Sequence, residues 1–348
     1  MMVALPRRVL RRARRRWRRV LREGRAAALA RTARILRAVR PGEATEQRLL
    51  RWSWISRDAG SLDEYLVVGW QNPRINMQSI LLRHALVRRL FGEAFEELMA
   101  AEIGFAIELN KALRIESERT HTPIYATLNQ GLLARVRKVG RVIAGRETEF
   151  QERWRTALAD RVAAPISVLE LACGSANDYR AFADYGLARF LAYTGIDLNP
   201  KNVANARRRF PSVDFRVGNA MAVERGDASV DVVIASDLFE HLPIDVAARV
   251  LAEAMRVAKQ EVLLVFFNMA EVPDHEDKPL IAYHWNLLSR ARVEATLAAA
   301  FPSVTVTPIG AWLRSEFGYA HSYNPRAYSF AARREAPRPA QTATPTAV

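Results

Sequence analysis

From Pro165 to Arg333, short apolar segments of strand length alternate with amphipathic segments of helix length, and this alternation constrains the fold more than any other feature of the chain. Helices that connect strands in this way place the strands parallel in one sheet, with helices on both faces. The sequence therefore predicts an α/β fold with a Rossmann-like, seven-stranded, mostly parallel sheet. The predicted strands are Ile166–Cys173, Phe190–Leu198, Val213–Asn219, Val230–Asp237, Glu261–Asn268, Val304–Pro308 and Ala327–Arg333, and the predicted helices are Asn177–Asp184, Pro200–Arg209, Ile244–Ala258 and Ser289–Ala300.

Residues 41–160 have the periodicity of helices and are expected to form an N-terminal helical accessory region. Its clearest stretch is 77–113, with Asn76 as a candidate N-cap and Gly92 and Gly104 as candidate interruptions. The residues expected to face inward are Ile80, Leu81, Val87, Phe91, Phe95, Leu98 and Ile103. Three tryptophans, Trp52, Trp54 and Trp70, either anchor this layer against the main domain or line a substrate site. Residues 336–348 are rich in Pro, Thr and Ala and are predicted to be a disordered tail.

Basic charge is concentrated in residues 1–40. This arm contains 15 arginines and one acid, so it carries +14 of the net charge of +15 and the rest of the chain is nearly neutral. Arginines fill one side of a helical wheel, and the apolar side comprises Leu5, Val9, Leu10, Ala13, Trp17, Val20 and Leu21. Such a helix lies flat on an anionic membrane surface. Nucleic-acid binding and a solvated arm without a specific partner are the alternatives.

The chain has one cysteine, Cys173, which excludes an intramolecular disulfide and any multi-cysteine metal site. A reducing compartment is compatible with this, and no apolar run is long enough to span a bilayer. We therefore expect a cytoplasmic protein that is peripheral on the inner face of the membrane.

Two carboxylates end neighbouring predicted strands, at the edge where open parallel sheets bind ligands. Glu170 ends the first strand and is followed by the small residues of 171–176, which let a ligand approach the backbone. Asp197 ends the second strand and can accept hydrogen bonds from both hydroxyls of a ribose. The dinucleotide fingerprint fails, because two of its three glycine positions are Ala172 and Asn177, and no phosphate-binding P-loop motif is present.

Four sequence blocks, which contain Glu170, Asp197, Asn219 and the segment Asp231–Leu242, follow one another along the chain. In this order they resemble the motifs of class I S-adenosylmethionine-dependent methyltransferases, specifically the type 11/12 small-molecule branch. The first block carries alanine at two of its glycine positions, the third carries Asn219 where the family commonly has Asp, and the fourth is Asp231–Leu242 with its Glu-His-Leu ending. The resemblance covers about 165–334 and implies a methyltransferase domain of residues 161–335. It also implies S-adenosyl-L-methionine as the cofactor, with Glu170 and the loop on its methionine part, Asp197 on its ribose and Asn219 on its adenine. The residues expected to bind the cofactor are Glu170, Ala172, Gly174, Asp197, Leu198, Asn219, Ala220 and Ser236.

His241 is the candidate catalytic residue, as a general base for an acceptor hydroxyl. The alternative is that it caps the helix that begins near Ile244. No metal-ligand spacing is present around His284 or in the segment 274–277, which is expected to be an acidic lid. Acceptor contacts are expected from 268–286, from the aromatic segment 312–323 and from the N-terminal helices, although the aromatic side chains could equally be packing residues.

The resulting hypothesis is methyl transfer to a small-molecule, glycan or lipid-linked acceptor, mainly O-methylation, near a membrane face. The first alternative is a methyltransferase fold that has lost catalysis and acts as a membrane-associated interaction protein. The second, a nucleic-acid methyltransferase, is disfavoured because the body is nearly neutral and no Asn/Asp-Pro-Pro-aromatic motif for a flipped base follows the fourth strand.

Overall fold

The computed structural model describes residues 75–120, 146, 148–280, 284–321 and 324–334. All helices, strands and contacts given for this protein lie within these residues. The predictions for the basic arm 1–40, for the three tryptophans at 52, 54 and 70, and for the tail 336–348 lie outside them.

The strands are β1 Ile166–Leu171, β2 Leu191–Asp197, β3 Asp214–Val217, β4 Val230–Ser236, β5 Ala258–Phe266, β6 Met269–Ala270, β7 Leu288–Ser289, β8 Ser303–Pro308 and β9 Tyr328–Arg333. The predicted seven-stranded, mostly parallel sheet is present, and its strand order is β3-β2-β1-β4-β5-β9-β8. Neighbouring strands among β1 to β5 are parallel, and β9 is antiparallel to both β5 and β8. A separate two-residue parallel pair joins β6 and β7.

Helices flank the sheet and also precede it. They are α1 Met77–Phe91, α2 Glu96–Thr120, α3 Glu149–Leu158, α4 Asn177–Asp184, α5 Pro200–Arg209, α6 Ile244–Val257, α7 Arg290–Ala298 and α8 Ile309–Phe317. The predicted bounds of α4 and α5 are confirmed. Helix α5 starts where predicted because Asn199 caps it and proline occupies its first position. Helix α8 was not predicted; it begins directly after β8 and ends at Gly318, whose φ is 62°.

The first helix that the structure describes, α1, agrees with the sequence. Asn76 caps α1 by accepting from the backbone N–H groups of Gln78 at 2.9 Å and Ser79 at 3.4 Å, and Gly92 ends the helix with a φ of 62°. Of the two candidate interruptions, Gly92 ends a helix and Gly104 does not, because α2 continues through it. Its buried face, which includes Met99, Ile103 and Ile107, outweighs the cost of about 1 kcal/mol for glycine inside a helix.

Two apolar layers cover the two faces of the sheet. On one face, side chains of α6 and α7 such as Val250 and Leu297 pack on Leu169 and Val233. On the other, α1 and α3 join α4, as in the packing of Leu86 and Trp154 with Val168 and Phe182; this layer also includes Leu82, Met99, Phe150, Val232, Ile234 and Leu263. The N-terminal helices therefore complete one face of the sheet and share its core.

A buried polar cluster connects α1, α2 and α3. Glu102 of α2 is fully buried and accepts from Arg83 and His84 of α1 and from the indole N–H of Trp154 of α3, the last two at 2.7 Å. The Arg83 guanidinium also lies 3.7 Å from the centroid of the Tyr185 ring, which extends the cluster to the end of α4. None of the helices in the described ranges is long and apolar enough to cross a bilayer.

Candidate active site

The two acidic residues singled out in the sequence lie at the carboxyl ends of adjacent strands, and both are buried. Glu170 is 3 % exposed on β1, and Asp197 is 8 % exposed at the end of β2. The hydroxyl of Tyr193, on β2, donates a hydrogen bond to Glu170 and fixes the orientation of its carboxyl group. No local sequence pattern indicates Tyr193, since only the pairing of β1 with β2 brings it beside Glu170.

Asp197 connects its strand end to two loops. Its Oδ2 accepts from the backbone N–H of Gly174 at 3.0 Å, and its Oδ1 accepts from the backbone N–H of Asn199 at 2.8 Å and from Nδ2 of Asn202 at 3.1 Å. The carboxylate therefore holds the loop after β1 against the start of α5, in addition to any contact that it makes with a ligand.

The loop after β1 has a left-handed backbone at every second residue. The φ angles of Ala172, Gly174 and Ala176 are 56°, 55° and 65°. An L-residue in this conformation costs about 1–2 kcal/mol, so both alanines are strained at the positions where the family has glycine. A Cβ atom at Gly174 would meet nothing within 4 Å, so the loop faces open space at its centre. These features suit a loop that takes a ligand against its backbone.

Gly195 is needed for a different reason, which is close packing behind the loop. A Cβ atom at this position would lie 2.8 Å from Cδ1 of Phe215 and 2.9 Å from Sγ of Cys173. Cys173 is buried, consistent with a packing residue of the loop.

The third and fourth blocks reach the same edge of the sheet. The backbone N–H of Gly218 donates to the carbonyl of Asp197 at 3.1 Å, and Oδ1 of Asn219 accepts from the N–H of Met221 at 2.9 Å. Ser236 ends β4 and hydrogen-bonds to Asp178. Because β3, β2, β1 and β4 are neighbours in the sheet, the structure places all eight predicted cofactor residues at or directly after adjoining strand ends.

Three further acidic residues lie at this edge. Asp178, in the first turn of α4, accepts from Oγ of Ser79 at 3.4 Å, and Asp237, whose φ is 50°, accepts from Nε2 of Gln78 at 2.7 Å. Glu240 is fully buried in the turn after β4. The sequence offered one signal for these residues, namely that each closely follows a strand end. It offered none for Gln78 and Ser79, which lie in the region predicted to be accessory.

Burial dominates the electrostatics of these carboxyl groups. It raises the pKa of Glu170 and of Asp237 well above the usual range, and that of Asp178 to about 6 and of Glu240 to about 7. Repulsion adds to the effect, from Asp178 and Asp197 on Glu170 and from Glu240 and Asp178 on Asp237. The pKa of Asp197 is also raised by burial, against the hydrogen bonds that it accepts. Crowded buried acids favour a positively charged ligand, because a cation relieves their repulsion.

This arrangement fits S-adenosyl-L-methionine, whose sulfonium and ammonium groups are both positive. Within the described ranges, no group of three or more His, Cys, Asp or Glu side chains has the arrangement of a metal site.

His241 lies at the same edge, in the 3-10 turn Phe239–His241. Its Nδ1 is 3.2 Å from the carbonyl oxygen of His284, which can only accept, so Nδ1 carries the proton and the lone pair of the neutral ring is on Nε2. Burial lowers the pKa of His241, which favours the neutral ring near pH 7. The alternative that His241 caps α6 is wrong, because the N-cap residue is Pro243 and no side chain caps the helix.

Two of the three parts of the chain expected to contact an acceptor, 312–323 and the loop 268–286, differ in their surroundings. In 312–323, Tyr319 is buried, and Trp312 and Phe317 pack against a cluster that includes Met77 and Ile103, so these aromatic residues are packing residues. In the expected acidic lid, the charged side chains have nearby partners: Asp274 with Arg292, Glu276 with Lys278 and Asp277 with His284.

Comparison with known proteins shows similarity to methyltransferases. Residues 168–261 match the sequence family described as "Methyltransferase domain". A protein of Mycolicibacterium smegmatis named "Probable S-adenosylmethionine-dependent methyltransferase" is 35 % identical over 135 residues, 38 % of this chain and 50 % of that protein. A demethylmenaquinone methyltransferase of Renibacterium salmoninarum is 32 % identical over 109 residues, 31 % of this chain and 44 % of that protein. The chain thus spans about half the length of the curated relatives that it matches.

The matching solved structures are more distant in sequence. Phosphoethanolamine N-methyltransferase 2 of Haemonchus contortus, in complex with S-adenosyl-L-methionine, is 15 % identical with a TM-score of 0.38, and the match covers 55 % of this chain and 52 % of that one.

Proposed function

We propose that this chain, which contains a class I S-adenosylmethionine-dependent methyltransferase domain, transfers a methyl group to the hydroxyl of a small-molecule, glycan or lipid-linked acceptor. One observation carries the proposal: the buried carboxyl groups of Glu170 and Asp197 lie at the carboxyl ends of adjacent strands, next to a loop with left-handed backbone at 172, 174 and 176. When bound, the cofactor supplies an electrophilic sulfonium methyl group, so the protein has to align the acceptor and exclude water.

In this proposal, different site residues bind different parts of the cofactor. Glu170, with the backbone of Ala172 and Gly174, binds the methionine part, where its negative charge attracts the ammonium group. Asp197 and Leu198 bind the ribose, and Asn219 and Ala220 bind the adenine. Ser236 completes the site from β4. The supporting evidence is that these residues occupy adjoining strand ends in the sheet.

His241 accepts the proton of the acceptor hydroxyl in this proposal. Its Nδ1–H group is oriented by the carbonyl of His284, and its lowered pKa keeps the ring neutral and therefore able to act as a base. The histidine is held against Phe267 and Trp285, with ring centroids 5.1 and 5.7 Å away.

Calorimetric titration of the full chain with S-adenosyl-L-methionine tests the proposal against its main alternative. We expect saturable heat and an increased melting temperature; no heat and no thermal shift would favour an inactive methyltransferase fold that acts as an interaction protein. Incubation with labelled cofactor and a cell extract then identifies the acceptor fraction. Label in nucleic acid would contradict a small-molecule, glycan or lipid-linked acceptor.

The arm 1–40 supports placing the reaction at an anionic membrane surface on the cytoplasmic side, since it combines +14 of net charge with an apolar helical face. Sedimentation with vesicles containing anionic lipid tests this. We expect the full chain to sediment with them and a chain that starts at Gly42 to stay in solution, with neutral vesicles as the control. Equal partitioning of the two chains would remove the membrane part of the proposal.

A further inference from the structure

We infer that the acceptor carries its hydroxyl on an uncharged ring, and that this ring stacks on an aromatic platform formed by His241, Phe267 and Trp285. The inference rests on the proposed function, because it concerns the acceptor of that methyl transfer. It adds the substrate class and two specificity-determining residues, Phe267 and Trp285.

The three rings of the platform contact one another at the carboxyl edge of the sheet. The Phe267 and Trp285 centroids are 4.9 Å apart, and the His241 ring lies 5.1 Å from the first and 5.7 Å from the second. Trp285 is 42 % exposed and is the one aromatic residue among the large exposed apolar side chains of the described ranges. An indole that is held by two other rings and still open to solvent presents a flat surface to a ligand.

Glu240 fixes the platform from behind on the side of β5. It is fully buried, and its Oε1 accepts from the backbone N–H groups of Phe267 at 2.6 Å and Asn268 at 3.1 Å. Since Glu240 directly precedes His241, the turn that carries the histidine is bound to the segment that carries Phe267.

Asn286 fixes the other side, where Trp285 lies. It is fully buried, its backbone N–H donates to the carbonyl of Glu240 at 2.9 Å, and its Nδ2 donates to the carbonyl of Leu242 at 2.6 Å. Its Oδ1 accepts from the N–H of Lys278 at 2.8 Å, and its carbonyl accepts from Nδ2 of Asn268 at 2.7 Å. Asn286 therefore clamps the loop beside the turn on both sides of His241, and the platform is preorganised.

The chemistry of the platform selects an uncharged ring. Aromatic faces stack with planar or cyclic ligands, whereas an acyclic alcohol covers less of them. In the adjoining loop, Glu276 forms an ion pair with Lys278, and Asp277 lies 2.7 Å from Nδ1 of His284. A phenolic ring and a sugar ring share the required features, which are a flat face and a hydroxyl at its rim within reach of Nε2 of His241.

The methyl transfer needs no reactant other than the acceptor and the cofactor. The ring hydroxyl oxygen forms a bond to the sulfonium methyl carbon, the sulfur–methyl bond breaks, and its electron pair stays on sulfur as the neutral thioether. The hydroxyl proton moves to Nε2 of His241, which later releases it to solvent.

Saturation-transfer NMR on the full chain, with S-adenosylhomocysteine added, tests the inference with three probes: 4-methylphenol, methyl glucopyranoside and 1-hexanol. We expect at least one ring probe to bind more tightly than hexanol, and the better ring probe shows which source applies. Trp285→Ala is expected to weaken its binding about tenfold, which corresponds to about 1.4 kcal/mol. Trp285→Phe is expected to restore most of the affinity, and Leu280→Ala, an exposed apolar position of the same loop, is expected to leave it unchanged.

Calorimetric titration of the same proteins with the cofactor distinguishes failure of the aromatic platform from failure of the proposed function. Normal cofactor binding with no preference for ring probes, or with ring binding that Trp285→Ala leaves within about twofold, overturns the platform alone. Ring binding that depends on Trp285, in a wild-type chain without cofactor binding, overturns the proposed function and leaves the platform standing.

Discussion

Asp197→Asn is expected to weaken the binding of S-adenosyl-L-methionine by about 10- to 150-fold and to lower the melting temperature, because a charged acceptor contributes about 1.5–3 kcal/mol to a hydrogen bond. The carboxylate accepts from Gly174, Asn199 and Asn202 through both oxygens. A carboxamide places an N–H group toward at least one of these donors, so the loop after β1 loses its attachment to β2 as the ligand loses its ribose contact.

Glu170→Gln should separate binding from stability. Burial raises the pKa of Glu170 well above the usual range, so an ionised carboxyl group at this position is disfavoured in the ligand-free protein, and we expect Gln to change its stability little. Cofactor binding needs the negative charge of Glu170, so the affinity of the Gln variant is expected to weaken about tenfold.

Titration calorimetry measures the cofactor affinity, and thermal unfolding measures the stability. Asp214→Asn is the matched control, since this half-exposed acid lies at the opposite end of neighbouring β3. Unchanged affinity in both site variants would refute the assigned site.

The sequence predicted the parts of the fold and site that depend on local patterns. The sheet follows from apolar runs of strand length, and the positions of Glu170 and Asp197 follow from where those runs end. The left-handed backbone at Ala172 and Ala176 was harder to predict, because alanine does not signal it as glycine does. Packing of the loop against Asp197 and Gly195 outweighs the local preference of these residues.

Contacts between segments distant in the chain could not be predicted. Gln78 and Asp237 are 159 positions apart, and nothing in either segment encodes their hydrogen bond. The same applies to the clamp that Asn286 forms on the turn of His241, which is why the capping alternative for that histidine stayed open. Gly104 shows the converse, because its local tendency to end a helix loses to the burial of Ile103 and Ile107.

The raised pKa values at the site predict that cofactor affinity increases with pH. Asp178, with a pKa of about 6, and Glu240, with a pKa of about 7, change charge near neutrality, and burial is the main cause in both. A positively charged ligand favours the ionised carboxylates and therefore releases protons when it binds. For each proton released, the affinity rises about tenfold per pH unit until the coupled group is ionised in the free protein as well.

The same groups give the ligand-free protein the opposite trend. A carboxyl group whose pKa is higher in the folded than in the unfolded protein stabilises the fold while it is protonated. This stabilisation is complete below the unfolded-state pKa, which is about 4 for carboxylic acids, and it is lost as the pH rises through the folded-state pKa. The free energy of unfolding without cofactor should therefore fall between about pH 4 and pH 7 through these groups, while stabilisation by the cofactor grows.

Calorimetry near pH 6.5, in two buffers of different ionisation enthalpy, counts the protons, and we expect release of about one per cofactor bound. Asp178→Asn removes the group that titrates near 6 and should reduce the rise in affinity around that pH. Asp214→Asn serves again as the control, because Arg216 and Thr194 lower the pKa of Asp214 and it stays ionised throughout this range. Proton uptake, or an affinity that stays flat from about pH 5.5 to 7.5, would show that the buried carboxyl groups are not coupled to the positive charge of the cofactor.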